Sequence, residues 1–423
     1  MTSEKTSKPF LDLALSLYLF TSRLHKQLAS EGVKDVYFFS REGAMLKDMF
    51  DVYLEKSNNP GTIRSHYLEV SRRSTFMPSL GPLREERFSV LFRQYRRMSL
   101  SSFLKSLSLD EQEREVFEAA EISDTEARSI QDDLPTSTVF RKLLGTQFFQ
   151  SLYESQRTQR SAALADYLSC FTDGKLPTSL HVVDVGWKGS IQDNLFNWFR
   201  RQAGPEARID GYYIGLVSPE LVDGHNRKMG LLFSSTPHPS AGFRTFNENR
   251  SLYEVLLPAR HGGPRAYEMG AEGKAVVVRD PFNEQQMIDK YVQPVAAVIM
   301  ERFLLLAEKF AGRDVSDRWL FERSLQKHAR MVFSPSDDEI EWMLSVSHVE
   351  NFGVFEQSKF GGRSGRDSLP QRLRYTIQLL RHRRLVDPGF WPYLTLRRRA
   401  LFGVHTLYRI FRLWQNRFAR GAK

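Results

Sequence analysis

Leu180-His181-Val182-Val183-Asp184-Val185 runs directly into Gly186-Trp187-Lys188-Gly189-Ser190-Ile191-Gln192, and that junction decides the fold class. A short apolar run with no alternation is the pattern of a strand buried on both faces. Two glycines flanking a lysine then turn the chain into a helical pattern from Ile191 to about Gln202. Val36-Tyr37-Phe38-Phe39 repeats the arrangement: it is followed by Ser40-Arg41-Glu42-Gly43, a helical pattern from Ala44 to Lys56, and the turn cluster Asn58-Asn59-Pro60-Gly61. Tyr67-Leu68-Glu69-Val70 and Gly211 to Val217 read as further strands. Strands alternating with helices predict an α/β fold, a Rossmann-like parallel or mixed sheet with a helical insertion and a C-terminal helical region.

The rest of the chain divides around these units. Residues 1–82 read as the first part of the α/β domain, with a helix from Phe10 to Leu28 leading into the first strand. Residues 83–170 mix charged and apolar side chains at helical spacing and read as a helical insertion, ended by Asp173-Gly174-Lys175-Leu176-Pro177. Residues 171–280 return to the α/β domain, with loops expected from the end of the Gly211 strand to about Asn249. Residues 281–370 read as a helical region and 371–423 as a basic amphipathic tail.

Composition sets limits. Of 423 residues, 41% are hydrophobic and 26% charged, an ordinary globular balance. The single cysteine, Cys170, excludes an internal disulfide and a cysteine-built metal site, and it suits a reducing, cytoplasmic setting. No apolar stretch reaches spanning length; the best, Phe10 to Phe20, is interrupted by Asp12 and Ser16. The net charge of +10 belongs to one end: thirteen Lys and Arg face a single acid, Asp387, from Gln371 onward, so the tail carries +12 and the remainder −2. Any reading that invokes an anionic partner must concern the tail.

Four segments carry candidate chemistry. In the first, Gly186 and Gly189 let the backbone approach an anion at a helix N-terminus, Lys188 and Ser190 add a charge and a donor, and Asp184 stands at the carboxyl end of a strand. The plain alternative is a strand-to-helix turn with Ser190 as cap. In the second, Ser40 suits a cap, Arg41 a phosphate fork and Gly43 a close approach. Glu42 is a base, a metal ligand, or simply a favourable acid in a first helical turn. In the third, Ser71-Arg72-Arg73-Ser74 suits a diphosphate or a solvated surface. In the fourth, Glu254 precedes Ala259-Arg260-His261-Gly262-Gly263, where His261 is a catalytic candidate or a structural histidine.

Taken in order, Phe39–Gly43, Val70–Arg73, Val183–Gln192 and Ala259–Gly263 resemble a bacterial family whose members are labelled predicted HAD-superfamily hydrolases and are associated with cell-surface polysaccharide gene clusters. The resemblance covers roughly residues 30 to 270. In longer members a HAD phosphatase module precedes this region. HAD catalysis takes an aspartate nucleophile after a buried strand with a second acid two residues on. Ser40-Arg41-Glu42 has no such aspartate, and Asp184-Val185-Gly186 has no such partner. The chain therefore resembles the C-terminal module without the phosphatase part.

The resemblance implies an enzyme of surface-glycan assembly that binds a nucleotide-sugar or phosphorylated sugar through residues 40–43, 71–74 and 184–190 and transfers a glycosyl or phosphoryl group. Asp184, Glu42, His261 and Glu254 are the catalytic candidates. Ser40, Arg41, Gly43, Ser71, Arg72, Arg73, Gly186, Lys188, Gly189 and Ser190 are the phosphate-binding candidates. The cofactor is open, and a divalent cation such as Mg is compatible with the chemistry. A phosphohydrolase acting on a similar ligand and a non-catalytic scaffold of a glycan-synthesis complex stay open as alternatives. In the tail, Leu396, Ala400, Val404, Leu407, Phe411, Trp414 and Phe418 recur at helical spacing among arginines without acids. This predicts an anionic membrane surface as partner for residues 396–423, peripheral on the inner face of the plasma membrane. Nucleic acid ranks lower because the stripe is aliphatic as well as aromatic, and a helix docked on the core is the plain alternative.

Overall fold

The computed structural model describes residues 9–57, 59, 61–347, 367–381 and 391–418. Helix α1 (Leu13–Ser30) leads into β1 (Asp35–Phe39), then α2 (Gly43–Lys56), β2 (Arg64–Leu68) and α3 (Arg72–Ser79). A run of short helices follows, then α4 (Gln147–Ser169), β3 (Ser179–Trp187), α5 (Ser190–Ala203), β4 (Arg208–Leu216) and β5 (Asn226–Ser234). An antiparallel hairpin, β6 (Pro264–Met269) and β7 (Ala275–Arg279), precedes α6 (Gln293–Phe310) and α7 (Asp317–Phe333). Toward the C-terminus lie α8 (Leu369–Arg381), α9 (Pro392–Arg399) and α10 (Val404–Phe418).

Five strands form one sheet in the order β2-β1-β3-β4-β5, and every neighbouring pair is parallel. Val36 and Phe38 of β1, with Val183 and Val185 of β3, enter a core shared with α1, α2, α6 and α7. Tyr37, Phe39, Leu180 and Val182 enter a second core with α4 and α5. Covered on both faces, these strands need no polar alternation, which is why they read as unbroken apolar runs. The short helices between α3 and α4 gather around a third core that includes Phe88, Phe103, Phe140 and Tyr153.

The order of the strands reverses between β1 and β3. From β1 the chain turns to one side to make β2, then crosses to the other side to make β3. The loops leaving the carboxyl ends of these two strands therefore diverge and leave a crevice, the usual ligand position in an open α/β sheet. Residues 40–43 and 188–189 are those loops.

Two expectations are corrected. The stretch read as loop before Asn249 contains β5, whose Asn226, Arg227, Lys228 and Gly230 disguise it. The tail stripe does not lie on one helix: Ala400 ends α9, Gly403 adopts φ +90°, and α10 starts afresh at Val404. Leu396 and Ala400 are buried while Leu407, Phe411 and Trp414 are exposed. The Phe418 side chain lies outside the described residues.

Candidate functional site

The loop before α5 is held from beneath. Gly186 has φ +128°, and a Cβ there would sit 2.0 Å from the Gly215 carbonyl oxygen of the adjacent strand. Gly189, at φ +72°, is the N-cap of α5, so Ser190 is its first helical residue rather than its cap. Under Gly189 the fully buried Lys228 ammonium donates to Asp193 Oδ1 at 2.5 Å, to the Glu220 carbonyl at 2.6 Å and to the Lys188 carbonyl at 3.3 Å. Burial pushes the Asp193 carboxyl up and the Lys228 ammonium down, and their contact opposes both shifts. Gln192, with no exposed surface, donates to Asn226 Oδ1 and the Arg227 carbonyl and accepts from the Tyr213 hydroxyl at 2.7 Å. Lys188 itself projects into solvent. Thus the polar residues after Gly189 fasten the loop, and Lys188 is the group it presents.

Carboxyl groups gather above this loop. Asp184 is 6% exposed and accepts from the Val185 N–H at 2.8 Å. Burial pushes its carboxyl well above the usual range; the charges of Glu42 and Glu254 push it further, against the opposing pull of the Val185 N–H and Arg72. Asp184 is therefore held toward its protonated, hydrogen-bond-donating form. Glu42, half-buried before α2, accepts from the Arg41 N–H at 3.2 Å. Glu254 accepts from Trp187 Nε1 at 2.7 Å, and the Arg250 guanidinium lies over the Trp187 ring, 5.4 Å from its centroid. The charges of Glu42, Glu254 and Arg72, carried by three other segments, thus act on Asp184 at the switch point.

A second cluster stands at the end of β2. The Tyr67 hydroxyl lies 2.9 Å from His261 Nε2, and His261 Nδ1 lies 2.8 Å from the Gly262 carbonyl oxygen. That carbonyl takes only a proton donor, so Nδ1 carries the proton and Nε2 accepts from Tyr67 in the neutral ring. Burial, then the charges of Glu69 and Glu42, push the Tyr67 phenol up. Glu69 is forked by Arg279 through two 2.6 Å bonds and lies 3.5 Å from His261 Nε2. Glu42 therefore acts electrostatically on both clusters.

The remaining candidates spend their polar groups on the protein. The Ser40 hydroxyl donates to the Val70 carbonyl at 2.7 Å and accepts from the Val70 N–H at 3.0 Å, tying the ends of β1 and β2 together. Arg41 pairs with Glu284. Ser71 is the N-cap of α3 in a reciprocal box with Ser74 and donates to the Pro264 carbonyl. Arg73 is buried and bound to Ser108, Asp110 and Asp280. Gly43 lets α2 begin against β1, where a Cβ would fall 2.9 Å from the Phe38 carbonyl carbon.

Of the residues singled out in the sequence, Glu42, Glu254 and Arg72 act electrostatically on Asp184, and His261 instead meets Tyr67 and Glu69. Sequence reading gave no role to Trp187, Tyr67, Glu69 or Arg279. Trp187, at the end of a buried strand and between glycines, was the available signal. Nothing local marks Arg279, which reaches Glu69 only through the β6–β7 hairpin. Among the described residues, no group of three His, Cys, Asp or Glu side chains is arranged to hold a metal ion. A wide cleft also opens between α1 and edge strand β5, where Arg23 is forked onto Asp317; it shares no residue with the switch-point cluster. No known protein-family model matches the chain, and no curated protein matches it in sequence.

Proposed function

We propose that the chain is an enzyme of bacterial surface-polysaccharide assembly. It binds a nucleotide-sugar or sugar phosphate at the β1–β3 switch point and transfers the glycosyl group, working peripherally on the inner face of the plasma membrane. The observation that carries the reading is the burial of Asp184 near the carboxyl end of β3 at that switch point, where burial and the charges of Glu42 and Glu254 bias it toward its acid form. A carboxyl held toward its acid form is suited to donate a proton to a leaving group in acid–base catalysis of group transfer. In this scheme Glu42 takes the proton of an acceptor hydroxyl. Asp184 donates to the departing phosphate oxygen, and Arg72 and Lys188 face the phosphate charge. The substrate class rests on the resemblance of the motif order to that of the polysaccharide-associated family.

A panel of nucleotide-sugars and sugar phosphates tests the proposal by thermal shift and by release of nucleotide or phosphate. Binding raises the melting temperature by mass action, about 2.7 kcal/mol of stabilisation at a hundredfold excess over Kd. Asp184→Asn is expected to keep the fold and abolish turnover. A chain that no member of the panel stabilises is instead the scaffold of the second reading. That reading draws on Ser40, Arg73, Gln192 and Asp193, all of whose polar groups are engaged within the protein.

A further inference from the structure

The described parts of α8, α9 and α10 hold nine arginines and no Asp or Glu. They also carry eight of the seventeen exposed large apolar side chains of the described residues, and Phe402 between α9 and α10 is a ninth, although they make up about a tenth of those residues. On α8, Leu369, Leu373, Ile377 and Leu380 are 44–80% exposed. At 3.6 residues per turn they fall within an arc of about 80°. The other side of α8 is occupied, because Tyr375 is buried against Leu396 and Ala400 of α9. On α10, Leu407, Ile410, Phe411 and Trp414 are 52–69% exposed and fall within an arc of about 100°. Phe402, 79% exposed, lies over the Arg372 guanidinium of α8 and so bridges the two helices.

These helices are not loosely attached. The buried Glu248 carboxylate accepts from the Tyr393 N–H at 3.0 Å and from the Tyr408 hydroxyl at 2.7 Å, with Arg412 3.9 Å away. Trp391 donates to the Val332 carbonyl. The inner sides of α9 and α10 are thereby fixed to the body while the apolar outer side of α10 faces solvent. Arg374 and Arg381 are exposed beside the apolar side of α8, and no carboxylate among the described residues pairs with them.

We propose that the outer faces of α8 and α10, joined at Phe402, form a docking surface for an anionic lipid bilayer. The proposal rests on the peripheral-membrane part of the function above and assigns it to named side chains, including α8, which lies upstream of the predicted stripe. Charge complementarity selects the occupant. Exposed leucines, isoleucines, two phenylalanines and a tryptophan flanked by Arg374 and Arg381 suit the boundary between anionic headgroups and acyl chains. The nearby acids Asp337 and Asp367 pair with Arg397 and Arg399, and among the described residues none pairs with Arg374 or Arg381, which are placed to meet anionic headgroups. No helix among the described residues is long and apolar enough to cross a membrane, so the mode is docking by these helices rather than spanning.

Flotation of the full chain tests it, using phosphatidylcholine vesicles with and without about a third of phosphatidylglycerol. The chain is expected to float with the anionic vesicles at low salt and to stay below with the neutral ones, each basic residue near the surface contributing about fivefold. Phe411→Ser/Trp414→Ser and Leu373→Ser/Ile377→Ser alter only exposed positions. Each pair is expected to cut partitioning by at least about tenfold, with far-ultraviolet circular dichroism unchanged. If the wild-type chain floats and both pairs float equally well, this face is overturned while membrane association stands. If the wild-type chain fails to float, both fall. Dimerisation abolished by the same substitutions without flotation assigns the face to a second copy and overturns the proposal, as does binding of duplex DNA in place of vesicles.

Discussion

Lys228→Met probes the support beneath the candidate site. The Lys228 side chain is 0% exposed and its ammonium serves three oxygens: Asp193 Oδ1, the Glu220 carbonyl and the Lys188 carbonyl. Methionine keeps most of the volume and removes the charge. Asp193 is then left with the Asn226 side-chain amide at 2.9 Å as its remaining donor. Removing one partner of a buried pair costs about 3–5 kcal/mol. Asp193 can relieve part of this by taking up a proton, since burial already pushes its carboxyl up. The loss is therefore expected to be smaller near about pH 5 than near about pH 8. Adding Asp193→Asn removes the orphaned charge and is expected to return stability to within about 1–2 kcal/mol of wild type. Urea unfolding followed by tryptophan fluorescence at both pH values measures all three proteins. A loss below about 1 kcal/mol in Lys228→Met, or no recovery in the double variant, refutes the reasoning.

His328 is buried with neither ring nitrogen hydrogen-bonded, stacked on Tyr253 and close to Phe246, and burial holds its pKa down to about 3. His328→Phe is expected to stabilise by about 1–3 kcal/mol near neutral pH. It also removes a loss that wild type suffers as pH falls from about 6.5 to about 3, because the unfolded imidazole gains a proton there and the folded one does not. Equal melting temperatures for the two proteins at each pH would contradict this. Glu248, pushed up to about 7 by burial, anchors α9 and α10. Glu248→Ala is expected to speed tryptic cleavage at Arg399 and Arg409 by loosening those helices, whereas Glu248→Gln, which keeps an acceptor, resists; equal cleavage argues against the anchor. Because a carboxyl raised in the folded state costs stability as pH climbs from about 4.3 through about 7, Glu248→Gln should also flatten the melting curve over that window.

The buried strands were legible because β1 and β3 are apolar on both faces, and the glycines after them, followed by helical patterns, marked strand-to-helix turns. β5 was not legible: Asn226 and Lys228 are buried there, but their role is to satisfy Asp193 and Gln192 across the sheet. At the site, Asp184 and Glu42 could be found because one lies within an apolar run and the other three residues beyond one. Arginines could not be sorted by sequence. Arg72 and Arg73 are adjacent, yet Arg73 turns to Asp110 and Asp280 while Arg72 acts on Asp184, and the partners that separate them lie up to 207 residues away. The tail periodicity carried across Gly403 because spacing alone does not register a left-handed residue.

The central claim is that the β1–β3 crevice binds a phosphorylated sugar through Arg72. Calorimetric titration of the best-binding nucleotide-sugar into wild type, Arg72→Ala and Arg93→Ala tests it, Arg93 being an exposed arginine paired with Glu220 outside the cluster. A charge-assisted hydrogen bond is worth about 1.5–3 kcal/mol, so Arg72→Ala is expected to weaken binding by about 10- to 150-fold, with Arg93→Ala matching wild type. Undiminished affinity in Arg72→Ala, or no measurable binding by wild type, would contradict the account.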